Sequence, residues 1–195
     1  EPDRLSSPAL ARQAELRSAL APIVAELAAL PSNDALLARA MARLPVVLGL
    51  AGDADESRKP ERPKASFAIA GDDPRLFVPR FAGALVPLPE LAEATAGMGA
   101  VSWFPARDQI VRQVPLLTTL GDTLVPTLAL ETLRTGMGET TLFVRASGGS
   151  STGAFGQQTG VETVRVGTTV LPTRGDGQLW LNFARPDPRR HASPH

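Results

Sequence analysis

The chain contains no cysteine, no tyrosine and only two histidines. Without cysteine there is no disulfide, no thiolate nucleophile and no cysteine-ligated metal. Both histidines, His191 and His195, stand in the polar tail RRHASPH, where a solvated side chain is commoner than a catalytic base. Lysine occurs only at 59 and 64, and the formal net charge is zero. That balance argues against nucleic acid as a partner, because phosphate binding needs a concentrated positive field. No apolar run reaches the roughly 20 residues that cross a bilayer. The opening EPDRLSSP has neither the positive start nor the apolar stretch of a signal peptide. What is present is ordinary globular material: 195 residues, 43% hydrophobic and 21% charged, enough for one domain with a real core.

The apolar spacing sketches the elements. Leu16, Leu20, Ile23, Leu27 and Leu30 fall on one face of a helix over 8–30, with Ser7 and Pro8 at its start and a kink at Pro22. A second helix after Pro31, capped by Ser32 or Asn33, directs Leu36, Leu37, Ala40, Met41 and Leu44 inward. PVVLGLAG at 45–52 reads as a buried strand, 52–66 as a charged surface loop, and FAIAG at 67–71 as a strand. The proline-punctuated 72–88 reads as irregular. Pro89 opens a short helix, PELAEATAGMG, closed by glycine. AVSWF and IVRQVPLL then read as a hairpin, and 121–138 as a helix with Leu124, Leu128, Leu130 and Leu133 apolar. TTLFVRA is a strand, the Gly/Ser-rich 147–160 a loop, and VETVRVG, TTVLP and QLWLNFA strands at hairpin spacing. The class is α/β: a single domain with a mixed central sheet flanked by helices and an antiparallel C-terminal strand run.

Catalytic constellations are absent from this pattern. There is no GxSxG elbow, HExxH pair or phosphate loop. GMGETT at 136–141 follows a helix instead of opening one and reads as its terminus. SGGSSTG offers hydroxyls without a base, and Asp122 and Glu131, nine positions apart, form no acid/base dyad. No catalytic residue, metal site or cofactor is therefore expected.

The polar residues that stand out are Asp3 and Arg4, Arg80, and Asp108 with Arg112, beside apolar strands. Each reads first as a structural ion pair at a sheet edge and second as a ligand contact. Arg112 is the most telling. In Ile110-Val111-Arg112-Gln113-Val114, alternation puts it on the face of Ile110 and Val114. If that face is buried, its guanidinium must meet a carboxylate, Asp108 being nearest in sequence, or a ligand anion. Trp103 and Trp180 read as core residues before stacking platforms.

Five blocks in order, EPDRLSSP, LPSNDALLARAMARLPVVLGL, PARDQIVRQVPLL, LVPTLALETLR and VLPTRGDGQLWLNF, resemble the second family of CHASE-type extracytoplasmic sensor domains (cyclase/histidine-kinase-associated sensing extracellular domains). The family usually shows an acid, then Asp-Gly, then the valine-arginine and proline-leucine run. This chain keeps Asp108, Val111, Arg112, Pro115 and Leu116, with Gln109 in the glycine position and Ala106 in the acid position. The resemblance implies an outward-facing bacterial sensor, residues 1–195 being one excised domain whose first strand lies upstream of residue 1. The tail 185–195 would lead into membrane segments outside this chain and then a cytoplasmic adenylate or guanylate cyclase, histidine kinase or serine/threonine kinase. The implied partners are a small-molecule or periplasmic signal and a second copy in a homodimeric receptor. Arg112, Asp108, Arg80, Asp3, Arg4 and Trp103 are the candidate ligand contacts, with an anchoring role for Arg112 the preferred one. Two other classes stay open: a secreted or cytosolic hydrolase working through carboxylates, and a module that dimerises through the helix at 8–30.

Overall fold

The computed structural model describes residues 15–24, 30–55, 63–102, 108–148 and 159–183. Helices and strands mix as expected, and the strands divide into four small sheets. The first helix, α1, is described over 15–24; residues 8–14 and 25–29 of the 8–30 expectation, with Leu27, lie outside the described residues, and Leu30 is an exposed bend residue. α2 (Asn33–Met41) starts where the Ser32 side chain accepts a hydrogen bond from the Ala35 amide at 3.0 Å. Only Met41 of its inward set is buried, and Leu36, Leu37 and Leu44 are exposed. The helical period was right, but these three leucines face outward instead of into the core.

β1 (Val47–Asp53) is the middle strand of the first sheet. It pairs in parallel with β5 (Gly97–Ala100), Val47 opposite Gly97, and antiparallel with β4 (Gly83–Leu85). β5 corrects the reading of GMG as a helix stop. α3 (Pro89–Ala94) ends at Thr95, and the glycines that follow are buried strand. They are small because α4 (Leu128–Gly136) lies against them. A Cβ on Gly97 would sit 2.5 Å from Glu131 Oε1, and one on Gly99 2.6 Å from the Leu128 backbone.

The second sheet runs β11 (Thr169–Pro172), β10 (Val161–Val166), β9 (Thr141–Ala146), β2 (Ser66–Ala70). β9 alternates strictly: Leu142, Val144 and Ala146 face the core, while Arg145 pairs outward with Glu162 at 2.9 Å and Phe143 lies beneath Arg165. A bulge between Val161 and Thr163 lets both Val161 and Val164 point inward.

The third sheet joins β3 (Arg80–Phe81), β7 (Leu117–Leu120) and β8 (Thr123–Pro126). β8 replaces the front half of the helix expected over 121–138. Gly121 at φ 61° and Asp122 form a two-residue hairpin loop, and helix starts only after Pro126. Leu124 is in the core in either arrangement. The last sheet pairs β6 (Gln113–Pro115) with β12 (Gln178–Trp180). Two expectations fall with it. Among the described residues β6 pairs with β12 and not with 100–102, residues 103–107 lying outside them, and β12 leaves the C-terminal run to join β6. Trp180 is consequently 56% exposed and not a core residue.

Two cores result. Leu116, Leu117, Leu130, Leu142, Val144, Val161, Val164 and Val166 form one; Leu50, Phe81, Ala84, Met98, Ala100, Leu120 and Val125 form the other. β7 contributes to both, and α4 lies between the first sheet and the first core. At its centre Glu131 is wholly buried, bonded through Oε1 and Oε2 to the Arg134 guanidinium at 2.7 and 2.8 Å. Arg134 also donates to the Glu139 carbonyl and, at 3.4 Å, to that of Ala96. The carboxylate of Glu131 raises the Arg134 pKa above its ordinary value.

Candidate functional site

Asp108 and Arg112 do meet. Their side chains form an ion pair of 2.7 Å, with 48% and 47% of each exposed. Asp108 also accepts from the Ile110 amide at 3.1 Å, closing a turn over Gln109, which adopts φ 60°. The Arg112 guanidinium first, and the Ile110 amide second, hold the Asp108 carboxyl below the usual aspartate range. The face shared by Ile110 and Arg112 is not buried, since Ile110 is also exposed. Arg112 therefore fastens a surface turn beside β6, and its carbonyl accepts from the Leu181 amide at 2.8 Å to extend the β6–β12 ladder.

Arg80 belongs to a separate group. It pairs with Asp122, at the tip of the β7–β8 hairpin, at 2.7 Å, both side chains being exposed. Asp122 offers its carbonyl to Arg75 at 3.4 Å. Arg75 is in turn held by Asp73, whose carboxyl its guanidinium keeps below the usual range. The structure thus brings Asp108 to Arg112 but not to Arg80. Asp3, Arg4 and Trp103 lie outside the described residues.

A cleft of about 440 Å³ opens beside these groups, lined by Leu76, Phe77, Thr159, Arg174, Gly175 and Asp176. One wall is the 3-10 turn Pro74–Leu76, which Asp73 caps by accepting from the Arg75 amide at 3.0 Å. Proline at its first position and a capping acid before it start this turn. Phe77 then packs on the first core, while Leu76 stays 75% exposed on the rim. The other wall is the turn over 173–177. Gly177 donates back to the Arg174 carbonyl at 2.8 Å and takes φ 74°, and the Val161 amide donates to the Gly175 carbonyl at 2.9 Å. A Cβ on Gly175 would lie 2.5 Å from the Thr159 carbonyl oxygen, so only glycine lets this turn lie so close to Thr159.

The charges of this wall are disposed in an unusual way. Asp176 accepts from the amide and side-chain nitrogen of Gln178 at 3.2 and 3.0 Å, both neutral donors. Arg174 lies 5.6 Å from the centre of the Trp180 ring, and among the described residues no carboxylate pairs with it. The lining therefore presents a cation, an anion, a hydroxyl and two apolar groups. That inventory suits binding, and no histidine is among the lining residues to activate the Thr159 hydroxyl. Among the described residues no three histidine or acidic side chains converge to hold a metal ion, and no helix is long and apolar enough to cross a membrane.

The cleft escaped the sequence reading. TRGDG at 173–177 carried only a turn signal, and nothing local relates it to Leu76. The Glu131–Arg134 pair did leave a mark, the three-residue spacing in ETLR, though spacing alone does not reveal burial.

No curated protein and no solved structure matches this chain. The sequence model of the CHASE2 domain matches it over residues 3–194. CHASE2 domains serve as extracellular sensory domains and not as catalytic ones. By a match that spans almost its whole length, this chain belongs to the CHASE2 domain family.

Proposed function

We infer that residues 1–195 are the ligand-sensing domain of a bacterial membrane receptor, held outside the inner membrane and regulating a cytoplasmic adenylate or guanylate cyclase or a protein kinase. The family match over 3–194 carries this reading, and an open cleft with unneutralised charges is what a binding domain needs. The physical requirement on such a domain is that the signal bind one arrangement better than another. The parent reading frame tests it directly. Apolar spans of about 20 residues flanking the domain, followed by a cyclase or kinase whose output changes with added ligand, support the reading. A stop just after His195 with no upstream apolar span overturns it. Of the six candidate ligand contacts, Arg80 and Arg112 already spend their charge on Asp122 and Asp108. Substituting Asp3, Arg4, Arg80, Trp103, Asp108 and Arg112 singly in the receptor, and measuring output against ligand concentration, assigns or removes each.

A second copy of the chain is the partner that the apolar surface favours. Leu16, Leu20, Ile23 and Val24 on α1 are all at least half exposed, and Leu36, Leu37 and Leu44 are exposed near α2. Such a patch sheds water on self-association. Sedimentation of the wild type and of Leu20→Ser/Ile23→Ser tests the pairing; equal monomer fractions at every concentration would remove it.

A further inference from the structure

We propose that the cleft between the Pro74–Leu76 turn and the turn over 173–177 binds a small zwitterion bearing an apolar group, an aliphatic or aromatic α-amino acid being the simplest of that class. The proposal rests on the sensing reading and names the chemistry of its ligand.

The charges select the class. Arg174 and Asp176 both line the cleft, two residues apart, yet they do not pair with each other. Among the described residues the Arg174 guanidinium forms no hydrogen bond, and its contact with the Trp180 ring face uses no N–H donor. The Asp176 carboxylate accepts only from the neutral donors of Gln178. A simple anion would satisfy Arg174 and be repelled by Asp176; a simple cation would meet the reverse. A molecule carrying both charges satisfies both. Its carboxylate meets Arg174, its ammonium meets Asp176, and Thr159 adds a hydroxyl to either. Between the two charged residues stands Gly175, without a side chain to fill the space.

The remaining lining sets the third group. Leu76 is 75% exposed on the rim and Phe77 half-buried behind it, an apolar wall that a ligand side chain would cover. The volume of about 440 Å³ lies toward the small end of ligand pockets, roughly 300–1,000 Å³.

The experiment titrates the 195-residue chain by calorimetry with leucine, phenylalanine, N-acetyl-leucine and leucine methyl ester, and follows the same additions by amide chemical shifts. Leucine or phenylalanine should bind and move the signals of Leu76, Phe77 and 174–178. The N-acetyl and ester forms, each missing one charge, should bind about tenfold or more weakly. Arg174→Gln should erase the preference for leucine over its ester, and Asp176→Asn the preference over N-acetyl-leucine. N-acetyl-leucine binding as tightly as leucine reduces the site to an anion site and overturns the proposal. So does equal binding of the ester, shifts confined to another surface, or no heat from any of the four. If Asp176→Asn loses the fold, the blocked ligands on the wild type still decide. A ligand that changes receptor output equally in the wild type and in Arg174→Gln removes this cleft and leaves the sensing reading standing. A receptor that no ligand alters removes the sensing reading itself.

Discussion

Replacing Arg134 with methionine removes the partner of a carboxylate that water cannot reach. Glu131 is 0% exposed and Arg134 5%. Arg134 supplies both hydrogen bonds that Glu131 accepts from a charged group, at 2.7 and 2.8 Å, and it also serves the carbonyls of Glu139 and Ala96. Breaking one side of a buried pair costs about 3–5 kcal/mol, most of it the burden of leaving the other charge desolvated and alone. For a domain of this size 1 kcal/mol moves the melting temperature by about 2–4 °C, so a fall of roughly 6–20 °C follows. Removing both charges, as Glu131→Met with Arg134→Met, takes away the orphan as well. The double variant should therefore recover about 2 kcal/mol or more relative to Arg134→Met, a coupling read from urea unfolding of all four proteins. A single variant within about 1 kcal/mol of wild type would refute the reasoning, because the pair would then be wet or the sheet free to open around it. A double variant no better than the single would refute it differently, by showing that the two carbonyls and not the carboxylate set the cost.

The same region predicts that Gly97→Ala destabilises by about 1–3 kcal/mol, since its Cβ would lie 2.5 Å from Glu131 Oε1; an unchanged urea midpoint would show that α4 can shift off β5 freely. Gln109→Gly should raise stability by about 0.5–1 kcal/mol, because φ 60° strains a side-chain-bearing residue by somewhat more than glycine loses in chain entropy; a lower melting temperature would count against that turn. For Asp108, the Arg112 guanidinium depresses the folded-state pKa below the unfolded value of about 3.9. The resulting stabilisation is present above that value and lost as pH falls through the folded pKa. Arg112→Ala should accordingly raise the carboxyl midpoint of Asp108 in an NMR titration while barely moving the melting temperature at pH 7, the pair being half exposed. A midpoint that stays put would mean the ion pair does not form in solution.

What the sequence disclosed follows from how local each signal is. Alternation in TLFVRA and VETVRV needs only neighbouring residues, and β9 and β10 appear where that pattern puts them. Ser32 caps α2 through a bond to a residue three positions on. The errors arise where the deciding partner is not legible in the segment itself. GMG at 97–99 looks like a helix terminus until α4 is placed on it, some thirty residues later. Leu124 of GDTLVP stands at helical spacing from Leu128, yet the segment's hydrogen bonds go to β7 across a two-residue turn. The α1 and α2 stripes have the right period yet their leucines are exposed, because periodicity states which side is apolar and not what lies over it.

The distant placement of the cleft also bears on how its occupancy could be felt. Its walls come from residues 76–77, 159 and 174–176, and none of these carried a functional motif. Yet the turn over 173–177 runs directly into β12, with Gln178 bonded to Asp176 and standing opposite Pro115 of β6, while the Leu116 amide donates to the Gly177 carbonyl. Leu181 continues that ladder to the carbonyl of Arg112. A group that pulls on Asp176 thus loads the hydrogen bond anchoring the first residue of β12, and β12 ends at the turn that Asp108 and Arg112 hold. Two features read separately in the sequence, a glycine-rich turn and an arginine after a charged one, are opposite ends of one two-stranded ladder. Arg112 meets the far end of that ladder through its carbonyl, while its half-exposed ion pair with Asp108 closes the turn just before it.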